Sequence, residues 1–495
     1  MFKKVLVANR GEIAVRVMRT LRELGVESVA VYTDADRASL HVRHADEAVA
    51  LGADPRAYLD AERLVEAARR SGAEALHPGY GFLSENPEFA ELAEARGVTF
   101  VGPPASAIRA MGSKQRARAA MAAAGVPIVP GGNAGTLEEA RATAARVGYP
   151  VMVKATDGGG GKGMRLVARE EELAGALERT RSEAEKAFGS GEVYIEKALV
   201  EPRHVEVQVL GDRDGRLVHL FERDCSLQRR HQKIVEETPC PALDATTREA
   251  LCAVAVKGAS SIGYHSAGTF EFLLDRGGSF YFLEMNTRLQ VEHPVTELVT
   301  GTDLVHEMLR VAAGEPLTLE PSARGAAIEA RLCAEDPARG FVPSPGGIEH
   351  LVEAAGPGVR VDSGVYAGAT VSPHYDPLLA KLSVWAPTRE RALARLRRAL
   401  GESAVVGIAT NLAFLERLLA TPEVAAGAYD TGFVERRAAE LTTELPDPGD
   451  DRLVAAAAVL AHLETGRAGA SAEAGALGER LSPWVAIERA ERLGR

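Results

Sequence analysis

Strand-like and helix-like segments alternate through the first third of the chain, and this constrains the fold more than any single motif. KKVLVA reads as a strand and NRGE as a turn, after which EIAVRVMRTLREL carries Ile13, Val17, Leu21 and Leu24 at helical spacing. ESVAVYT forms the next strand, AYLDAERLVEAARRSG the next helix and EALHP a third strand start, and GVTFVGP closes the series. Strands separated by helix-length segments predict a parallel sheet with crossover helices. Gly11, at the first strand–helix turn, is a lone glycine rather than part of G-x-G-x-x-G, so it carries little weight for a dinucleotide.

The pattern then changes. From Ser113 the chain turns helical, and GVPIVPGG marks a boundary by its Pro/Gly density. In KATDGGGGKGMR (residues 154–165) four glycines in a row precede Lys162. A P-loop ending at Gly161-Lys162 would need glycine at Thr156 and Ser or Thr at Gly163, with a helix after it. Both positions fail, and VMVKA and MRLVA on either side read as strands, so the glycines form a hairpin loop. HVEVQVLGDRDGRLVHLFERDC reads as a second hairpin turned at Asp214-Gly215, and GTFEFLLDRGGSFYFLEMN as a third turned at Gly277-Gly278. Residues from Gly325 to about Glu440 form a further α/β module, ELPDPGDD is a linker, and an Ala/Glu-rich tail follows. A chain of 495 residues is too long for one core, so three or more lobes are expected.

Composition narrows the class. Lys and Arg total 58 against 69 Asp and Glu, a net charge of −11 that argues against a nucleic-acid or basic membrane-binding surface. The four cysteines show no C-x-x-C pair, as expected of reduced thiols in a cytosolic enzyme. The apolar run at the N-terminus breaks at Asn9-Arg10, too short for a signal segment, and no window suggests a membrane span. The expected setting is cytoplasmic.

The chemistry concentrates in YFLEMNTRLQVEHP. Strand alternation puts Glu284, Asn286 and Arg288 on one face, with Gln290 and Glu292 joining them if the extended form continues. Such a face is costly to bury without a ligand or metal, and its oxygen donors suit Mg²⁺ on substrate phosphates. Glu271, between Phe270 and Phe272, lies on the polar face of its strand, where the following hairpin can bring it beside Glu284. In QRRHQK, alternating Arg229, His231 and Lys233 form a cationic strand face that repels itself unless an anion lies among them; a solvated basic edge is the plain alternative. Lys114 and Lys154 are weak signals alone, and HPGYGF sets two glycines around Tyr80 in a turn. G-x-S-x-G is absent and no cysteine has a clear His partner in sequence, which disfavours a covalent enzyme intermediate.

In order, ANRGEIAVR, HPGYGFLSEN, MGSK, KATDGGGGKGMR, EPRHVEVQVLGD, ERDCSLQRRHQK, GTFEF and EMNTRLQVEHPVTE resemble the biotin carboxylases of the ATP-grasp superfamily, from about Phe2 to about Arg437. The resemblance implies a multi-domain α/β fold. Residues 1–113 would form an N-terminal βαβ parallel-sheet domain, and 114–324 an ATP-grasp domain with a glycine-rich lid at about 131–203. Residues 325–443 would be a C-terminal α/β domain, and 444–495 a linker and helical tail. It further implies that Lys114 and Lys154 meet ATP phosphates under a lid containing Gly160 and Gly161. Glu196, Lys197 and Leu199 would hold adenine, with His204, Gln228 and His231 lining the nucleotide site. Glu271, Glu284 and Asn286 would bind two Mg²⁺ (or Mn²⁺) ions. Lys233, Arg288, Gln290, Val291 and Glu292 would surround bicarbonate, and Arg331 would face the biotin ureido group beside Tyr80.

The implied reaction is ATP-dependent carboxylation of biotin by bicarbonate through carboxyphosphate, the first half-reaction of an acyl-CoA carboxylase. Glu292 would be the general base, and Arg331 would stabilise the biotin enolate. Charge spread over a transferring phosphoryl group calls for metals and cations, and a short-lived intermediate calls for a lid that excludes water. Two places depart from the family pattern: Asp157 brings a negative charge into the lid loop, and the pair His265-Ser266 replaces smaller residues. None of the eight methionines is followed by lysine, so the biotin attachment signature is missing. The biotin is therefore expected on a separate biotin carboxyl carrier protein, beside a carboxyltransferase subunit, in a homodimer or larger complex. Another ATP-grasp ligase, or an inactive regulatory subunit, are the competing readings. The first would lack a response to biotin; the second would lack some of the acids, cations and glycines that are all present here.

Overall fold

The computed structural model describes residues 1–156 and 163–443. Its N-terminal sheet is parallel throughout, in the spatial order Glu47–Gly52, Glu27–Thr33, Lys4–Val7, Ala75–His77, Thr99–Phe100. The central strand is buried because helices cover the sheet, among them Gly11–Glu23 and Ala61–Ser71. Asp60 caps the second helix by accepting from the Arg63 N–H, and Gly72, at φ 73°, ends it in the left-handed conformation. The expected series of strands is present. One strand escaped the sequence reading: EAVALG is a largely exposed edge whose lone fully buried side chain, Leu51, gives little periodic signal.

The strand order reverses direction between Lys4–Val7 and Ala75–His77, and open α/β sheets bind ligands at such a switch point. The two loops leaving these strands carry Asn9 to Glu12 and Pro78 to Phe82. They are laced together by Asn9, whose Nδ2 donates to the main-chain oxygens of Pro78 and Tyr80 at 2.7 Å each. Gly79 adopts φ 63°, and a Cβ there would lie 2.9 Å from Asn9 Nδ2, so both the turn and the close approach need glycine.

The second sheet has eight antiparallel strands, ordered Phe280–Asn286, Ser266–Leu274, Arg203–Gly211, Leu217–Arg229, Gln232–Thr238, Ala326–Cys333, Leu378–Ala386, Val359–Ser363. Both hairpins expected around Asp214-Gly215 and Gly277-Gly278 are here. Gln232–Thr238 pairs directly with Ala326–Cys333, so the division expected at Gly325 falls inside one continuous sheet.

Alternation gives this sheet two unlike faces. Val205, Val207 and Val209 pack with Phe270 and Phe272 in an apolar core beneath the helix Ala245–Ser261. Each such burial contributes about 1.5–3 kcal/mol, enough in sum to hold the strands whose opposite face is polar. That opposite face carries His204, Glu206, Gln208 and Glu271.

A third, four-stranded antiparallel sheet, ordered Gly131–Asn133, Val193–Lys197, Val151–Ala155, Met164–Val167, is backed by the helices Leu137–Val147 and Glu170–Phe188. Lys154 pairs with Met164, so the glycine run connects adjacent antiparallel strands, as the failed P-loop pattern required. Gly160 and Gly161, with Asp157 and Lys162, lie outside the described residues, as does the tail from 444 onward. No helix among the described residues is long and apolar enough to cross a membrane.

Candidate active site

A cavity of about 390 Å³ opens between the four-stranded sheet and the polar face of the eight-stranded one. Lys114, Lys154, Glu196, Lys197 and Leu199 line it from one side. His204, Gln228, His231, Glu271 and Glu284 line it from the other. Lys154 is ion-paired to Glu196, which Arg118 also approaches at 3.4 Å. The Lys197 ammonium is spent on the main-chain oxygens of Gly148 and Tyr149, at 3.0 Å each.

Glu271 and Glu284 are direct cross-strand partners, as the hairpin predicted. Burial would raise Glu271, but Lys233 and His204 outweigh it and hold the carboxyl well below its ordinary value. Its oxygens meet His204 Nε2 at 2.9 Å, Lys233 Nζ at 2.9 Å, Asn286 Nδ2 at 2.8 Å and Gln290 Nε2 at 3.2 Å. Glu284 has no ion-pair partner among the described residues, and burial, reinforced by the Glu271 charge, pushes it up. Two adjacent carboxylates, Glu271 buried and Glu284 half-buried at the cavity wall, the second of them lacking a cation, fit a divalent ion bound through oxygen.

Beyond Glu271 runs a buried ion network. Lys233 Nζ lies 2.5 Å from Glu206, 2.9 Å from Glu271 and 2.6 Å from Glu292. Arg223, with no exposed surface, holds Glu206 at 2.5 Å and is fixed by Gln208, Thr269 and Thr296. Glu292 also accepts from Arg331 at 2.9 Å, and Arg331 Nε donates to Glu236 at 2.6 Å. Burial alone would raise Glu292; Lys233, Arg331 and Arg223 overcome it and keep this carboxylate ionised. Burial pushes Glu236 up to about 7 despite Arg331.

The network ends in a second cavity of about 480 Å³ at the switch point of the parallel sheet. Arg288, Val291 and Arg331 line it from one side and Glu12, Tyr80 and Phe82 from the other. Arg288 is steered by three side-chain acceptors, Glu85 at 2.8 Å, Gln290 at 2.9 Å and Asn286 at 2.8 Å, and by the Leu289 main-chain oxygen at 3.2 Å. The contacts Glu271–Lys233–Glu292–Arg331 thus join the two cavities through one line of alternating charges.

Two expectations need correction. Arg229, His231 and Lys233 do not share a strand face: one strand ends at Arg229, the next begins at Gln232, and Arg230 and His231 form the turn at φ 49° and 65°. A two-residue hairpin of this kind needs both central residues in the left-handed region, and it sends Lys233 inward to the acids while His231 stays exposed at the rim. The extended form also stops at Asn286, so Gln290 and Glu292 reach the site from a loop and from the start of the helix His293–Thr300. Glu206, Arg223, Glu236 and Glu85 were not anticipated. The alternating polar residues of HVEVQ were the available signal for Glu206, whereas Glu85 has no local signal.

Comparison with known proteins agrees with this geometry. Residues 1–108 match the family description biotin carboxylase N-terminal domain and 329–436 its C-terminal domain. Residues 113–320 match the ATP-binding domain of the carbamoyl-phosphate synthase L chain. Biotin carboxylase 1 of Bacillus subtilis is 51% identical over 443 residues, covering 88% of this chain and 98% of that protein. The chain belongs to the biotin carboxylase family. Another biotin carboxylase, from Campylobacter jejuni and solved with a nucleotide, superposes with a TM-score of 0.84 at 44% identity, covering 88% of this chain and 99% of that one. The biotin carboxylase domain of Hydrogenobacter thermophilus 2-oxoglutarate carboxylase, solved as a dimer with MgADP, ADP and bicarbonate, gives 0.85 at 47%, covering 90% and 99%. The mitochondrial methylcrotonoyl-CoA carboxylase subunit alpha of rice is 52% identical over 88% of this chain, which spans only 60% of that relative's length.

Proposed function

We propose that the chain is the biotin carboxylase component of an acyl-CoA carboxylase and carboxylates biotin with ATP and bicarbonate. The observation that carries this reading is the fully buried Glu292 carboxylate, held between Lys233 and Arg331 on the line of charges that joins the two cavities.

The nucleotide belongs in the first cavity. Lys114 and Lys154 face its phosphates, the strand around Glu196 to Leu199 lies along the adenine, and His204, Gln228 and His231 close the wall. Glu271, Glu284 and Asn286 would hold the Mg²⁺ ions, which supply charge neutralisation on the phosphate oxygens. Bicarbonate sits among Lys233, Arg288, Gln290 and the Val291 loop. Glu292 takes its proton, and the freed oxygen attacks the γ-phosphorus as ADP leaves, giving carboxyphosphate. Against burial, Lys233 and Arg331 hold the Glu292 carboxyl below its ordinary range, so it is ionised near neutral pH and able to accept the proton, while the cations on both sides stabilise the anion that forms.

Carboxyphosphate then breaks into CO₂ and phosphate. The phosphate removes the N1 proton of biotin in the second cavity, Arg331 steadies the charge on the ureido oxygen, and N1 attacks CO₂. Gly160 and Gly161, which lie outside the described residues, would exclude water from the phosphates by closing, since glycine N–H groups can approach phosphate without a Cβ.

The same proposal divides the chain at 113, 324 and 443, with a lid at about 131–203, and places it in the cytoplasm. Its partners would be a carrier protein bearing biotin and a carboxyltransferase, and its assembly a homodimer or larger complex. Support comes from relatives that are named subunits and from a neighbour solved as a dimer. The test is ATP hydrolysis that requires bicarbonate and speeds up with free biotin. Hydrolysis indifferent to biotin would favour a different ATP-grasp ligase.

A further inference from the structure

Lys381 has no exposed surface, and it lies behind the second cavity rather than in its wall. Its strand, Leu378–Ala386, pairs with Ala326–Cys333 so that Lys381 stands directly opposite Arg331. Two cations side by side, Lys381 fully buried and Arg331 in the cavity wall, each need their own carboxylates. Arg331 has Glu236 and Glu292. Lys381 Nζ has Glu12 Oε2 at 3.3 Å and Asp362 at 4.0 Å, and the closer partner of Asp362 is Arg360 at 2.7 Å. Among the described residues Lys381 is the one cation ion-paired to Glu12.

Two further contacts give this lysine reach. Its Nζ donates to the main-chain oxygen of Val291 at 2.8 Å, fixing the loop between Arg288 and Glu292. The other Glu12 oxygen accepts from the Tyr80 hydroxyl, and the Tyr80 ring centre lies 6.0 Å from Lys381 Nζ. Tyr80 stands between Gly79 and Gly81, its main-chain oxygen is held by Asn9, and the hydroxyl contact to Glu12 fixes where its ring lies. Four segments that are remote in sequence therefore converge on one ammonium group: the first helix, the switch-point loop, the Val291 loop and a C-terminal strand.

We propose that Lys381 is a positioning residue that ties the two substrate positions together, holding the bicarbonate loop through the Val291 carbonyl and the biotin-facing Tyr80 through Glu12. This rests on the biotin carboxylase reading above. Lys381 touches neither substrate. It acts by making the placement of the Val291 loop and of the Tyr80 ring depend on one shared group.

The test is steady-state kinetics on the full chain with free biotin, comparing Lys381→Met, Glu12→Gln, Tyr80→Phe and the double variants. Lys381→Met is expected to raise KM for biotin and KM for bicarbonate, each roughly tenfold, the scale of a lost hydrogen bond to a charged group. Glu12→Gln is expected to raise KM for biotin by a larger factor than KM for bicarbonate. Because Lys381, Glu12 and Tyr80 act in series, combining Tyr80→Phe with either change should add little to the biotin effect. Equal factors multiplying independently in the double variants, or an unchanged KM for both substrates in Lys381→Met, would overturn the proposal. If Lys381→Met does not fold, Glu12→Gln alone decides it: Glu12 reaches the Val291 loop through Lys381, so a raised KM for bicarbonate alongside that for biotin supports the shared group and an unchanged KM for bicarbonate sinks it. An unsubstituted protein without any biotin response would instead defeat the reading on which the relay rests.

Discussion

Lys233→Met removes one ammonium from the midst of three carboxylates at 2.5, 2.9 and 2.6 Å while keeping most of the side-chain volume. Stripping one partner from a buried ion pair costs about 3–5 kcal/mol. Here each carboxylate keeps another cation or potential cation: Arg223 for Glu206, His204 for Glu271 and Arg331 for Glu292. The loss should therefore fall at the lower end, about 3 kcal/mol. For a unit running from Met1 to Thr442, with an unfolding entropy of about 2.1 cal/mol/K per residue, each kcal/mol is worth about 1 °C, so Tm falls by roughly 3 °C near neutral pH.

The pH dependence has a definite sign. Burial would raise Glu292 and Glu271; Lys233 leads the cations that hold both below 4.5. A depressed carboxyl contributes stability that is present above its unfolded pKa and lost as the pH falls through the folded one. Without Lys233 both folded values rise and that contribution shrinks, so the gap between variant and unsubstituted protein should be widest above about pH 5 and narrow below it. Melting curves at pH 8 and pH 4 check this. An equal gap at both pH values, or none, would refute the account of the network.

Glu292→Gln should leave the circular dichroism spectrum intact and lower bicarbonate-dependent ATP turnover by about 10²–10⁴-fold, the usual worth of a general base. Arg331→Ala should depress biotin carboxylation far more than bicarbonate-dependent ATP hydrolysis, measured side by side on one preparation; equal losses would remove its assigned role. Glu284→Gln should shift the Mg²⁺ titration of activity to concentrations higher by about ten- to a hundredfold, with the ATP titration at saturating Mg²⁺ moved less.

Much of the site was legible because its residues are neighbours along strands. Glu271 between two phenylalanines, and the Gly277-Gly278 turn after it, sufficed to place it against Glu284. The glycine run was readable from its flanking strands rather than from the glycines. What stayed hidden depends on contacts between remote segments. Glu85 meets Arg288 across the boundary between the parallel sheet and the large antiparallel one, and no local pattern marks it. Glu236 is significant only because its strand lies beside the one bearing Arg331. QRRHQK misled because alternation was assumed through a turn; with Arg230 and His231 both left-handed, the chain reverses and Lys233 faces the acids. In EMNTRLQVEHP the expected convergence of side chains occurs, but through a loop and a helix start, since Arg288 folds back onto Asn286 and Gln290.

The most direct test of the central claim follows the carbon. The purified chain would be incubated with ATP, Mg²⁺, free biotin and isotopically labelled bicarbonate, and label in carboxybiotin compared with ADP formed. The account predicts labelled carboxybiotin that appears only with all four components and is lost in Glu292→Gln. ATP hydrolysis that proceeds without transferring label to biotin, with the label going instead to another acceptor or staying in bicarbonate, would contradict it.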